Sequence, residues 1–192
     1  MKRLLCSIAL FLFSLPTADA CVGRILNIGV IDSPEGQVLA EMLSTIINER
    51  TGTTVHTKFY NNSQELYDGV RSKQIDILVE NTSRALQLLN KPLDPNAKHA
   101  YETVKALYEK EKGLAWLKPF GFLNGGGGEA PSYTATVLRI EVYSNFPALP
   151  RVIDKLGGTI NDDTFAKMVK AVESGEKPKK LARDFLRGKK LI

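Results

Sequence analysis

Three short polar clusters carry what chemistry this sequence offers: Asp32-Ser33, Asn61-Asn62-Ser63 and Glu80-Asn81-Thr82. Their groups bind by hydrogen bonding, and none is a nucleophile set beside a base. Ser33 precedes Pro34 and an amphipathic run, which places it at the amino end of a helix, where exposed N–H groups favour an anionic ligand. Helix capping alone also selects Ser, Asn and Thr at such positions, and a plain strand–helix turn accounts equally for Asp32-Ser33. Asp76 and Glu80 are near enough in sequence for a general acid/base pair, although a cap or a surface charge suits them better. His56 and His99 stand at no metal-ligand spacing with Cys or carboxylates, and no nucleophile-elbow motif occurs. A structural or surface role is expected for both, with no enzyme activity, metal or cofactor. Trp116, Tyr60, Tyr101, Tyr108, Phe120 and Phe122 offer ring faces for a cation cage, but their spacing is better explained by a core.

The elements that must position these clusters are read from periodicity. Ile25 to Ile31 is a short apolar run, as in a strand covered on both faces. From Pro34 to Thr51, Val38, Leu39, Met42, Leu43, Ile46 and Ile47 recur on one helical face, and Gly52 ends it. Thr53–Tyr60 alternates as a strand with one face more solvated, His56 on the wet side. Gln64–Ser72 is a short helix, Ile75–Val79 a buried strand, Ser83–Leu89 a second short helix, and His99–Lys112 a helix stopped by Gly113. Leu114–Phe120 returns as a strand. Beyond the glycines, Tyr133–Val142 reads as a strand, Asn145–Leu156 as a helix opened by Pro147, Asp162–Glu173 as a helix capped by Asn161, and the chain from Pro178 as a last helix. Strands separated by helices predict parallel pairing and a three-layer αβα fold. The three polar clusters then gather at one edge, the carboxyl ends of the strands, where open α/β sheets bind ligands.

The chain has 192 residues, 43% hydrophobic and 24% charged, with a formal charge of +5. That is an ordinary globular balance, and no basic stripe interleaved with aromatics points to nucleic acid. Lys177, Lys179, Lys180, Arg183, Arg187, Lys189 and Lys190 form the densest positive region, which reads as a solvated helix face rather than a phosphate-binding surface. Residues 1–20 read as a signal peptide: Lys2 and Arg3, the apolar Leu4 to Leu15, then Pro16 and the small-residue site before Cys21. The apolar run is short for a bilayer, so export and release are expected, into the periplasm or an equivalent extracytoplasmic space. Cys21 at the new terminus allows a lipid anchor, against which Ala18 and Asp19 fit the usual lipobox poorly. Cys6 would leave with the leader, so no internal disulfide is expected.

The segments ILNIGVIDSPEGQVLAEMLSTIINERTG, SKQIDILVE and AYETVKALYEKEKGLAWLKPFGFLN resemble the first lobe of the substrate-binding proteins of ABC transporters for glycine betaine, choline and related osmoprotectants. The tail from VLRIEVYSNFPALP to the end resembles that family's closing segment, which returns from the second lobe to the first. The resemblance implies a type II periplasmic-binding fold, no catalysis, a small polar betaine- or choline-like solute and an ABC permease as partner. It places ligand contacts along Asp32, Ser33, Asn61, Asn62, Glu80, Asn81, Thr82 and Asn124.

Two departures stand out. A whole second lobe normally lies between the segments ending near Asn124 and starting near Tyr133. Here residues 125–132, with four glycines and no phosphate-loop ending, leave room only for a bridge, since a small domain needs roughly 50 residues. The expected organisation is one domain over residues 21–192: a first segment 25–124, a Gly-rich bridge 125–132 and a returning segment 133–192. Second, the family offers an aromatic residue after the IDILVE strand, where this chain has Asn81 and Thr82. A module that uses the open edge to bind another protein, or to form a homodimer, is the alternative to solute capture.

Overall fold

The computed structural model describes residues 25–124 and 130–192; the leader, Cys21 and residues 125–129 of the expected bridge lie outside the described residues, and Ser132, expected in the bridge, opens a strand. Strand β1 (Leu26–Ile31) is followed by helix α1 (Pro34–Thr51), and the local chemistry matches the sequence. Ser33 Oγ accepts from Gly36 N, Pro34 takes the first helical position, and Gly52 closes the helix in the left-handed region with φ 68°. Then come β2 (Val55–Tyr60), α2 (Ser63–Arg71), β3 (Ile77–Asn81), α3 (Thr82–Leu88), α4 (Ala97–Lys112), β4 (Leu114–Asn124) and β5 (Ser132–Arg139). The chain ends with α5 (Ile140–Asn145), α6 (Ala148–Ile153) running into a 3-10 turn at Asp154–Leu156, α7 (Asp162–Glu173) and α8 (Pro178–Gly188).

The five strands form one sheet in the order β2-β1-β3-β5-β4. β1 pairs parallel with β2 and β3, whereas β5 inserts antiparallel between β3 and β4. The returning segment therefore shares a sheet with the first. Its helices share a core with it as well: Ile153, Phe165, Met168, Ala182 and Leu186 pack with Val38, Leu43 and Ile46 of α1 on one face. Leu66, Val70, Leu86, Val104 and Tyr108, from α2, α3 and α4, cover the other face. The result is a three-layer αβα fold whose sheet is mixed rather than all parallel, two pairings running each way because β5 follows β4 with no crossover helix between them, and it has the architecture of a single lobe of a type II periplasmic binding protein.

Several boundaries differ from the periodicity, each for a local reason. The strand expected to reach Val142 stops at Arg139, whose partner Leu114 is the first residue of β4; one further bond, from Ile140 N to Gly113 O, closes the ladder where α4 ends. The chain bends there into α5, whose Val142 is buried. β4 runs on to Asn124, past Phe120, because β5 pairs with it as far as Ser132, through register shifts on either side of Pro119. Pro119 is tolerated because it donates no ladder bond; its carbonyl accepts from Gly158 N, and Ile160 N donates to Phe120 O, so residues 158–160 cover this sheet edge. At β2, an edge strand, Phe59 is exposed rather than inward.

Candidate functional site

Parallel pairing brings the carboxyl ends of β1, β2 and β3 to one edge, and the polar residues there serve first as helix caps. Ser33 caps α1. Asn62 caps α2, its Oδ1 accepting from Glu65 N at 2.9 Å while Glu65 reaches back to the Asn61 N–H and both Asn side chains. Asn81 caps α3, accepting from Arg84 N at 2.8 Å. Asp32 accepts from the Gln37 side chain at 3.3 Å on the open surface. Each cap is worth about 1 kcal/mol to its helix, so the residue types are explained before any ligand is invoked.

A groove of about 830 Å³ opens at this edge, between the start of α1 and the side of α7. Ser33 and Glu35 stand on one side, and Asp162, Phe165, Ala166 and Val169 on the other. Phe122 of β4 and Phe165 of α7 form its apolar wall, their rings stacked with centroids 3.8 Å apart. Asp162 accepts from Leu123 N at 2.6 Å and fastens the start of α7 to the end of β4. A narrow recess of about 80 Å³ shares Ser33, Arg84 and Phe165 with the groove and reaches Asn81 and Thr134.

Of the residues expected at the site, Ser33 and Asn81 line these spaces. Asp32, Asn61 and Asn62 are exposed on the same edge but outside them. Glu80 and Thr82 are fully buried and line neither space. Asn124 ends β4, its backbone paired with Ser132. The aromatics gather into no cage: Trp116 and Tyr108 lie in the core beside α4, and Phe120 and Phe122 in the core beside α1. His56 is exposed on β2, and His99 meets Asp94 at the surface. Among the described residues no group of three metal-ligating side chains forms.

The residue that sequence reasoning missed is Arg84. It lines both spaces and pairs with Glu80 one turn earlier. Glu80 also accepts from the Tyr67 hydroxyl at 2.8 Å and from Asn81 N at 2.8 Å, and Tyr67 in turn meets the Tyr108 hydroxyl at 2.8 Å. Burial pushes the Glu80 carboxyl above its ordinary value, against the opposing pull of Arg84, Tyr67 and Asn81. Burial and the nearby carboxylate together hold the Tyr67 phenol well above its usual range. Arg84 is 28% exposed, and its Nε is committed to Glu80. Among the described residues no other hydrogen bond holds its guanidinium, so the terminal nitrogens have donors to offer at the groove. The four-residue spacing from Glu80 was the one signal in the sequence, and it gained meaning only once Glu80 proved to be buried.

Residues 25–136 match the family described as the substrate-binding domain of the ABC-type glycine betaine transport system. The chain belongs to this family. The fold is shared with a glycine betaine/carnitine/choline ABC transporter protein at a TM-score of 0.76 and 14% identity, over 88% of this chain and 98% of that one. It is shared too with apo YehZ from Escherichia coli at 0.78 and 14%, over 88% and 100%. Lactococcal OpuAC, closed around glycine betaine, aligns at 0.53 and 10% identity, over 87% of this chain and 96% of that one. No curated protein matches the sequence. The family's domains bind solutes for transport rather than catalysing reactions, and no helix among the described residues is long and apolar enough to cross a membrane.

Proposed function

We propose that this protein is an exported, non-catalytic solute-binding component of an ABC-type uptake system, taking a small zwitterion of the betaine class in the groove beside α1 and α7. The observation that carries it is Arg84, held by the buried Glu80 at the wall of a groove whose other lining is apolar residues, Ser33 and the charged Glu35, Asp162, Lys170 and Glu173. Its terminal nitrogens meet a carboxylate, with the Glu35 N–H at the start of α1 and the Ser33 hydroxyl, which already accepts from Gly36 N, beside them. The Phe122–Phe165 wall receives the alkyl groups. An ABC permease is the partner that family membership supports.

Residues 25–124 and 133–192 are taken as one lobe bridged by residues 125–132, and release or lipid anchoring after cleavage at Cys21 as the route to an extracytoplasmic site. One lobe leaves the outer side of a bound solute in water, where two would bury most of it. Calorimetric titration with glycine betaine, choline, carnitine and proline, together with the mass in solution, tests the proposal. Micromolar binding of the carboxylate-bearing solutes by a monomer, with choline weaker, is expected. Absent or millimolar binding by a dimer overturns it in favour of self-association. Choline bound as tightly as betaine removes Arg84 from the ligand.

A further inference from the structure

The net charge of the chain is concentrated at its end. Residues 177–192 hold seven Lys and Arg against one acidic residue, Asp184, whereas residues 1–176 hold 19 against 20. α8 sorts these charges by face. Ala182 and Leu186 are buried against the core beside α1, while Lys179, Lys180 and Arg187 are exposed, with Asp184 between them on the outer side and Arg183 half-buried at its flank. Of the seven cations only Arg183 has a carboxylate partner, Glu49 at 3.3 Å, and Lys189 lies over the Phe185 ring. Lys177, Lys179, Lys180, Arg187 and Lys190 are without an ion-pair partner among the described residues, and Arg50 Nε donates to Leu191 O at 2.7 Å, tying the chain end to α1.

We propose that this α8 face docks on a bilayer surface rich in anionic phospholipid. Lysine dominates the patch, and its mobile point charges suit a fluid, diffuse array of headgroups better than the fixed carboxylates that arginine forks read in a protein partner. No exposed aromatic is interleaved for stacking on nucleic-acid bases. Clustered cations on an amphipathic helix gain attraction additively near an anionic membrane, within a Debye length of about 10 Å. Such docking is independent of what the groove binds.

The test is co-sedimentation of the full chain with vesicles of phosphatidylglycerol and phosphatidylcholine, and of phosphatidylcholine alone, at low and high salt. The comparison is K179Q/K180Q/R187Q/K190Q; any contribution of the apolar residues 4–15 is common to both proteins. Each cation removed should weaken partitioning about five-fold, so the quadruple variant should bind anionic vesicles about 600-fold more weakly. Its unfolding transition should match that of the parent, because none of the four side chains is paired or buried. Wild-type binding that needs the anionic lipid and fades with salt supports the proposal. Equal binding to both vesicle types, equal binding by the variant, or retention on a soluble polyanion without vesicle binding overturns it.

Discussion

Replacing Arg84 by Met removes the only ion-pair partner of Glu80 among the described residues and keeps an unbranched stem in the groove wall. Glu80 would retain the Tyr67 hydroxyl and the Asn81 N–H. Deleting one partner of a buried pair costs about 3–5 kcal/mol. Arg84 is 28% exposed, so water already screens part of the pair, and a stranded carboxyl can take up a proton. A loss of about 2–3 kcal/mol at neutral pH is expected. The direction with pH follows from burial, which raises the folded-state value of Glu80 above that of the unfolded chain. The folded protein binds more protons between the two values, so this group's contribution to stability falls as pH rises through that window. Losing Arg84 extends the window upward, so the deficit of the variant is small near about pH 5 and grows towards about pH 8. Urea unfolding at both ends of that range reads it. Adding Glu80→Gln should recover most of the loss, because the amide keeps an acceptor for Tyr67 and carries no charge. An equal penalty at both pH values, or a double variant no more stable than Arg84→Met, would refute the account of Glu80 as a buried anion held by Arg84.

Gly36→Ala should lower the thermal transition sharply: its Cβ would lie 2.1 Å from Ile31 O, and the tight turn from β1 into α1 would have to open at a cost of about 1–3 kcal/mol. An unchanged Tm would show that this turn yields easily. Asn81→Tyr should remove the α3 cap, costing about 1 kcal/mol, while placing a ring beside the recess and tightening binding of a quaternary ammonium solute by calorimetry. Destabilisation without tighter binding would mean that the missing ring does not limit affinity.

Much of the fold was legible because local rules and global packing agree. Ser33, Asn62 and Asn161 cap the helices that their sequence positions announce, and the α1 stripe is buried where helical periodicity puts it. The site was legible only as an edge. Ser33 reached the groove and Asn81 the recess beside it, but Asp32, Asn61 and Asn62 reached neither, because all of them look alike as capping residues and the sequence holds no record of which loop faces α7. Phe165 carries no signal in the sequence beyond its place in a helix, and it became half of a groove wall when α7 folded back over the end of β4.

By itself the sequence determined the element order as far as β5, the parallel connection of β1 to β3, the family resemblance and the edge at which polar loops collect, since each depends on spacing within a few dozen residues; the single helix expected over Asn145–Leu156 is instead the end of α5, α6 and a 3-10 turn. Tertiary structure alone decided that β5 enters the sheet between β3 and β4, that Glu80 is sealed beneath Tyr67 and Tyr108, and that Arg84 stands at the groove. Those outcomes depend on contacts between residues far apart in the chain, and a carboxylate's burial is set by what closes over it rather than by its neighbours in sequence.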